Sequence, residues 1–343
     1  MKFVISLTDR IGTLEQIVAL WDKFGDGRNP FSNMIFTPLF AHPPVLALIR
    51  DKLQHRGDVF FDSGGYYVQQ GLVNYEALYQ DLKKFYQEND WGRWYVLPDY
   101  VPTSSLSSTE VEERIQATIT VSKLFFSEMH ESLKDRALPV VQGHTFEQVQ
   151  MCVESYASMG VTYVGFGSFG TSGTNNSINT ITRQSIQMIE FLREITRKHS
   201  MKIHAFGIGT PEVLPLFYEL GIDSFDSSGW SRTAGFGNVF LPFVGRRSIT
   251  QRMILQVGGK AYKPAEFIEL RDSTGHKCPF CQDVMFLKKN RIYQMLHNLC
   301  VVMDTVESLN GEGNTEVSSL KKSRYDHYAT RRTYKPFHVE EDQ

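Results

Sequence analysis

No stretch of this 343-residue chain reaches the roughly 18–20 consecutive apolar residues that a membrane-spanning helix needs. The opening Met1-Lys2-Phe3-Val4-Ile5-Ser6-Leu7-Thr8-Asp9 is too short an apolar run for a secretory signal. No membrane partner is therefore expected, and a soluble, cytoplasmic protein is. Cysteine is scarce: Cys152, Cys278, Cys281 and Cys300 are all there is. Three of the four fall in one short stretch, which in a reducing compartment reads as metal binding before it reads as disulfides. A Gly-x-Gly-x-x-Gly run and a Walker lysine are both missing, so dinucleotide and P-loop readings are poor. None of the ten histidines forms an evident Ser-His-Asp pattern.

An overall excess of charge is missing too, with a formal net of −2. That balance hides an asymmetry. Residues 229–335 hold 17 Lys/Arg against 9 Asp/Glu, whereas residues 1–228 hold 19 against 26. A basic third on an otherwise acidic chain suits a polyanionic partner, although solvated surface charge explains it as well. Hydrophobic residues at 41% and charged residues at 22% are globular values, which exclude disordered and fibrous classes for most of the chain.

Short Val/Ile/Phe-rich runs recur at Phe3–Leu7, Met34–Thr37, Val59–Asp62, Tyr95–Pro98, Leu138–Gln142, Tyr163–Gly167, Ile203–Gly207 and Ser224–Asp226. They are too short for buried helices and read as strands. Helix signals lie between them. Thr145 with Gln148 is a capping-box pair and Gly160 a stop; Thr109 with Glu112 opens a helix to about Leu133. Thr210-Pro211-Glu212 reads as an N-cap with proline in the first turn, closed by Gly221. Strand and helix alternating about eight times imply a parallel sheet, best closed as a (β/α)8 TIM barrel, with an open doubly wound sheet as the alternative. The main part of the barrel, with its catalytic rim, occupies 1–228. A basic insertion with a zinc-binding subdomain and a closing helix follows at 229–310, and a polar tail at 311–343. Within the second part, Ser227–Lys277 lacks a clean period and should contain small strands, and Met285–Leu309 reads as a helix.

The strand ends carry the chemistry. Asp62, Asp99, Gln142 and Asp226 each end a strand, and in a parallel barrel such ends share the rim where active sites form. Two glycines after Asp62, in Asp62-Ser63-Gly64-Gly65-Tyr66, let backbone approach a ligand closely. The pattern His276-x-Cys278-x2-Cys281-x15-His297 suits a tetrahedral Zn2+ site. Its four protein ligands leave no open position, which makes the role structural. Cys300 is a rival to His276 as the fourth ligand.

Asp62-Ser63-Gly64-Gly65, Val141-Gln142-Gly143, Gly207-Ile208-Gly209-Thr210-Pro211-Glu212, Phe225-Asp226-Ser227 and the Cys-x2-Cys segment with Leu296-His297-Asn298-Leu299 together resemble the guanine transglycosylases. These are the queuine and archaeosine tRNA-guanine transglycosylases and their DNA-modifying relatives. The motifs stand in the family order over about residues 59–300. The resemblance implies a TIM barrel with structural zinc and exchange of guanine for a 7-deazaguanine within a nucleic acid. It implies Asp226 as the nucleophile on C1′ and Asp62 as general acid/base. Asp99, Gln142 and Gly165, with Ser63 and Gly143 beside them, would read the base, and Tyr66 and Phe206 would stack on it.

The chain departs from the family in places. His276 stands where the tRNA enzymes carry a cysteine, and Ser228-Gly229-Trp230-Ser231-Arg232 differs from the bacterial tRNA-enzyme sequence. Gly167-Ser168-Phe169-Gly170-Thr171 carries no carboxylate to meet an ammonium, which favours a neutral base such as preQ0. No added RNA-binding domain is expected within this length. DNA is the preferred polymer and tRNA the alternative, with a non-catalytic partner subunit a further alternative. Arg232, Arg246, Arg247 and Arg252 are the phosphate-contacting candidates. The oligomeric state is left open, a homodimer included.

Overall fold

Eight short apolar runs become eight parallel staves in the computed structural model, which describes residues 1–8, 10–102, 106–172, 178–252 and 260–311. The strands in chain order are β1 (Lys2–Ser6), β2 (Asn33–Phe36), β3 (Asp58–Phe61), β4 (Trp94–Val96), β5 (Ala137–Leu138), β6 (Val140–Val141) and β7 (Tyr163–Phe166). They continue with β8 (Gly170–Ser172), β9 (Ile178–Thr180), β10 (Lys202–Ala205), β11 (Ser224–Ser227), β12 (Asn238–Leu241) and β13 (Gly245–Ser248). Neighbours pair in parallel from β4 through β3, β2, β1, β11 and β10 to β7. The ring closes through β5 and β6, which form one stave interrupted at Pro139. Ala137 and Leu138 pair with Tyr95 and Val96 on one side, and Val140 and Val141 with Gly165 and Phe166 on the other. Proline lacks the N–H that an unbroken ladder needs at that point. The architecture is the expected (β/α)8 barrel, not the open sheet.

The apolar filling of the barrel interior comes from Val4, Ile35, Phe60, Val96, Leu138, Val140 and Tyr163, on six of the eight staves and none from β10 or β11. The alternate residues of the barrel strands, such as Ile5, Phe61, Tyr95 and Phe225, pack outward against the helices. This two-residue alternation makes one set of side chains core and turns the next set toward the barrel axis.

The eighth helix, Arg291–Asn310, follows β11 only after an insertion, and packs against β1 and the first helix, Ile11–Phe24. Within the insertion lie the helix Gly229–Gly235, the antiparallel β12–β13 hairpin and the helix Pro264–Asp272. Small strands are thus present in the segment where the sequence shows no period. The tail at 312–343 lies outside the described residues.

Three helix boundaries differ from expectation. The long helix after β4 starts two residues early, at Ser108, because Ser107 and Glu110 form the capping box. Thr210 does not cap a helix: its carbonyl accepts from Val213 N–H in a turn, and the helix Leu214–Glu219 begins later with Pro215 in its first turn. The run after Asp283 is two helices, Val284–Lys289 and Arg291–Asn310. They break at Asn290, whose side chain accepts from the N–H groups of Ile292 and Tyr293. The Thr145–Gln148 box forms as read.

Candidate active site and metal centre

At the carboxyl ends of the staves a cavity of about 500 Å3 is lined by Asp62, Ser63, Tyr66, Asp99, Gln142, Phe206, Asp226, Arg232 and Arg246, among others. These residues span from 62 to 246 in the chain. The barrel brings them together because each strand stops at the same rim.

Asp226, the third residue of β11, turns inward beside Val4. Its Oδ2 accepts from Ser6 Oγ at 2.7 Å, and its Oδ1 accepts from Gly207 N–H at 2.7 Å. His204 Nε2 lies 3.4 Å from the same Oδ1. Gly207 has φ of +66°, a backbone conformation that favours glycine and aims its N–H at the carboxylate.

Asp62 faces Asp226 across the rim. Its Oδ2 accepts from Thr37 Oγ1 at 2.7 Å. Burial raises its carboxyl above the ordinary aspartate range. The neighbouring Asp226 charge adds to this, while Thr37, the Gly64 N–H and His204 oppose it. Two rim carboxyls of different environment are therefore present in one cavity.

Asp99 is buried and anchors a chain of hydrogen bonds. Gln142 Nε2 donates to its Oδ2 at 2.7 Å, and Ser63 Oγ to its Oδ1 at 3.1 Å. Ser168 Oγ donates to Gln142 Oε1 at 2.7 Å and accepts from Gly143 N–H at 2.8 Å. Gln142 is thereby fixed in one amide orientation. Burial pushes the Asp99 carboxyl up to about 6, with Asp62 adding to the rise and Gln142 and Ser63 opposing it. A Cβ at Gly65 would lie 2.6 Å from Asp99 Oδ1, so the second glycine after Asp62 leaves room for this carboxyl.

Two residues expected to read the base do not reach the cavity wall. Gly143 gives its N–H to Ser168. Gly165 lies beneath the Phe206 ring, where a Cβ would come within 2.0 Å of it, so its lack of a side chain makes room for Phe206. Among the four arginines, Arg232 and Arg246 line the cavity; Arg247 and Arg252 do not. Arg247 alternates with Arg246 along β13, and Arg252 is exposed and donates to Gly235 O at 3.4 Å. Sequence reasoning missed His204 and Tyr67. His204 is wholly buried below Asp226, and Tyr67 lines the cavity and stacks on Phe40 with centroids 3.6 Å apart. The signal for His204 was its place two residues before Phe206 in the otherwise apolar run Ile203–Gly207.

His276, Cys278, Cys281 and His297 converge in a separate buried group, with their ligand atoms within 4.8 Å of one another. Cys278 Sγ lies 3.4 Å from Cys281 Sγ and 3.5 Å from His297 Nδ1, and His276 Nε2 lies 3.3 Å from His297 Nδ1. Both rings are oriented from behind. His276 Nδ1 donates to Asp304 Oδ2 at 2.6 Å, and His297 Nε2 donates to the Phe240 carbonyl at 2.9 Å. Each outer contact leaves the inward nitrogen as a lone-pair donor, the arrangement found behind metal-ligating histidines. Asp304 is itself paired with Arg28 at 2.8 Å. Two thiols and two inward imidazole nitrogens fit a metal ion. Cys300 lies outside this group of four but beside it: its thiol interacts with Cys278, and its sulfur is 4.0 Å from Asp26 Oδ2. Among the described residues no helix is long and apolar enough to cross a membrane.

Among curated proteins, none matches the chain. A family model described as queuine tRNA-ribosyltransferase matches residues 94–310. The matched span includes Asp99, Gln142, His204, Asp226 and all four metal-site residues, and begins after Asp62. With well over half of its length matched, and with a closed barrel carrying an acidic rim and a buried His2Cys2 group, the chain belongs to the queuine tRNA-ribosyltransferase family and is a guanine transglycosylase, a pentosyltransferase that acts on nucleic acid.

Proposed function

We propose that the protein replaces guanine in a nucleic acid, preferably DNA, with a neutral 7-deazaguanine such as preQ0. The observation that carries this reading is the pair Asp226 and Asp62 on one cavity with the Asp99–Gln142 network beside them. Asp226 is surrounded by groups that can donate, which suits an acceptor-only carboxylate. It attacks C1′, and the electron pair of the C1′–N9 bond leaves with guanine, which takes a proton from Asp62. The raised affinity of Asp62 for its proton supports that role. In the second half the Asp62 carboxylate takes the N9 proton of the incoming base. Its N9 then attacks C1′ and Asp226 departs. The passage through an oxocarbenium-like state is the one that retaining glycosidases use.

The Asp99 carboxylate offers acceptors, and the Gln142 amide a donor and an acceptor, to the edge of the heterocycle, while Tyr66 and Phe206 on the cavity wall supply faces for stacking. The neutral-base preference rests on the absence of a carboxylate in Gly167-Ser168-Phe169-Gly170-Thr171. Zn2+ held by His276, Cys278, Cys281 and His297 would lock the insertion onto the closing helix, without an open position for chemistry.

Preference for DNA is supported by the stretch after Asp226 that departs from the tRNA enzymes. It forms the helix Gly229–Gly235, and places Arg232, Thr233 and Phe236 on the cavity wall. The tRNA reading is favoured by the description of the matching family. Incubation with labelled preQ0 and either duplex DNA or tRNA separates them: label in DNA is expected, and label in tRNA alone would overturn the preference. Asp226→Asn should bind nucleic acid yet trap no covalent adduct. Asp62→Asn should slow guanine release while the adduct, once formed, still maps to Asp226; an adduct on Asp62 would reverse the roles.

A further inference from the structure

Most of the barrel interior is apolar, but beneath Asp226 it is not. Tyr163 on β7, His204 on β10 and Ser224 on β11 are all buried, and all turn toward the barrel axis. Tyr163 Oη is hydrogen-bonded to Ser224 Oγ, which lies 2.5 Å from His204 Nδ1. The other ring nitrogen, Nε2, faces Asp226 Oδ1 at 3.4 Å. The rest of the His204 ring is packed by Phe60 and Phe206, with centroids at 5.4 and 4.6 Å. The titratable groups around it are Tyr163, Asp226 and, across the barrel, Asp62.

We propose that His204 is the positioning residue for the nucleophile, its tautomer set by Ser224 and Tyr163 so that Nε2–H holds Asp226 Oδ1. The proposal rests on the reading of Asp226 as nucleophile. For a neutral imidazole the hydrogen-bond inventory sets the direction of each link. An ionised Asp226 can only accept, so Nε2 carries the proton. Nδ1 of the neutral ring must then accept, so the Ser224 hydroxyl donates to it. The Ser224 oxygen is left to accept from Tyr163. Burial holds the Tyr163 phenol well above its ordinary range, which keeps it a donor. Asp226 is thus gripped by Ser6, Gly207 N–H and His204 on its two oxygens, leaving little freedom to rotate. The His204 contact is the longest of the three, and such contacts shorten when substrate completes a site. The same N–H meets the carboxylate again when it leaves C1′ in the second half of the exchange.

The test uses the full chain and base exchange with labelled preQ0 on the polymer that accepts it. His204→Phe keeps the ring packing and removes the donor; kcat is expected to fall about 10–100-fold with KM little changed, since a hydrogen bond to a charged group is lost. His204→Gln, whose amide nitrogen can take the place of Nε2, should recover most of that loss. Ser224→Ala, which frees the tautomer, should give a smaller fall. Equal rates for wild type and His204→Phe, or equal losses for Phe and Gln, would overturn the proposal. Asp226→Asn in parallel separates the two readings. If it still exchanges base, the nucleophile is wrong; if it is dead while His204→Phe is unimpaired, only the present inference fails. Nitrogen NMR of His204 in the wild-type protein needs no variant to fold. It should show a protonated Nε2 and a bare Nδ1, and a protonated Nδ1 would refute the assignment.

Discussion

If Asp99 reads the base as proposed, it is the residue at which stability and recognition oppose each other. Its carboxyl is raised to about 6 by burial, against an ordinary value near 4. The folded protein therefore binds this proton more tightly than the unfolded chain does. The contribution to stability is full below about pH 4 and is lost as pH rises through 6, by on the order of 3 kcal/mol for a shift of about two units. Asp99→Asn can present its oxygen to Gln142 Nε2 and its amide to Ser63 Oγ, so the network survives without the charge. Denaturation of this variant is expected to lose the fall in stability between pH 4 and 6, and at pH 8 it should be the more stable protein. Base exchange should drop at the same time, because a guanine edge that needs two acceptors then meets one. A variant whose stability tracks wild type across that range would show that Asp99 is not the group titrating.

Among the elements, the helix Arg291–Asn310 decides how the insertion is held. Asn298 donates to the Trp230 carbonyl at 2.9 Å and accepts from Phe240 N–H at 2.6 Å, joining this helix to the Gly229–Gly235 helix and to β12. The preceding residue, His297, belongs to the metal group and donates to the carbonyl of the same Phe240. Asn298→Ala would leave the buried Phe240 N–H without this acceptor and remove the link to the Trp230 carbonyl, at a cost of about 1–3 kcal/mol, readable as a lowered melting temperature. Cys278→Ala should abolish bound metal and loosen the same region, whereas Cys300→Ala should keep full metal content. Metal analysis of the purified variants checks both, and loss of metal from Cys300→Ala would reinstate it as a ligand. Much of this architecture was legible beforehand. The eight staves show as short β-branched runs, and the Cys-x2-Cys pair marks the metal group, because both are local patterns. Pairings across the barrel were not legible. His204 is one histidine in an apolar run, and its partners lie 20 and 22 residues away on the next stave. The Thr210-Pro211 pair carries a helix-start signal, yet the backbone spends it on a turn that places Thr210 on the cavity wall.

At the scale of the molecule, the uneven charge acquires a location. Arg232 and Arg246 stand on the wall of the cavity that holds Asp226, on two elements of the insertion. Arg246 Nε is buried without a hydrogen-bond partner among the described residues, while the residue as a whole lines the cavity. Arg247 and Arg252 belong to the same basic segment but lie off that wall. A phosphate backbone drawn to the rim should therefore meet the first two arginines and not depend on the last two. Each phosphate neutralised on duplex DNA steepens the dependence of log K on log salt by about 0.9. Arg232→Ala and Arg246→Ala should each weaken binding and flatten that slope by about one unit. Arg247→Ala and Arg252→Ala should leave it close to wild type. Titrating a fluorescent duplex at several salt concentrations measures all four. Equal slopes across the set would mean that the basic segment acts as a diffuse field rather than through the two arginines at the rim, and that the strand approaches Asp226 from another side.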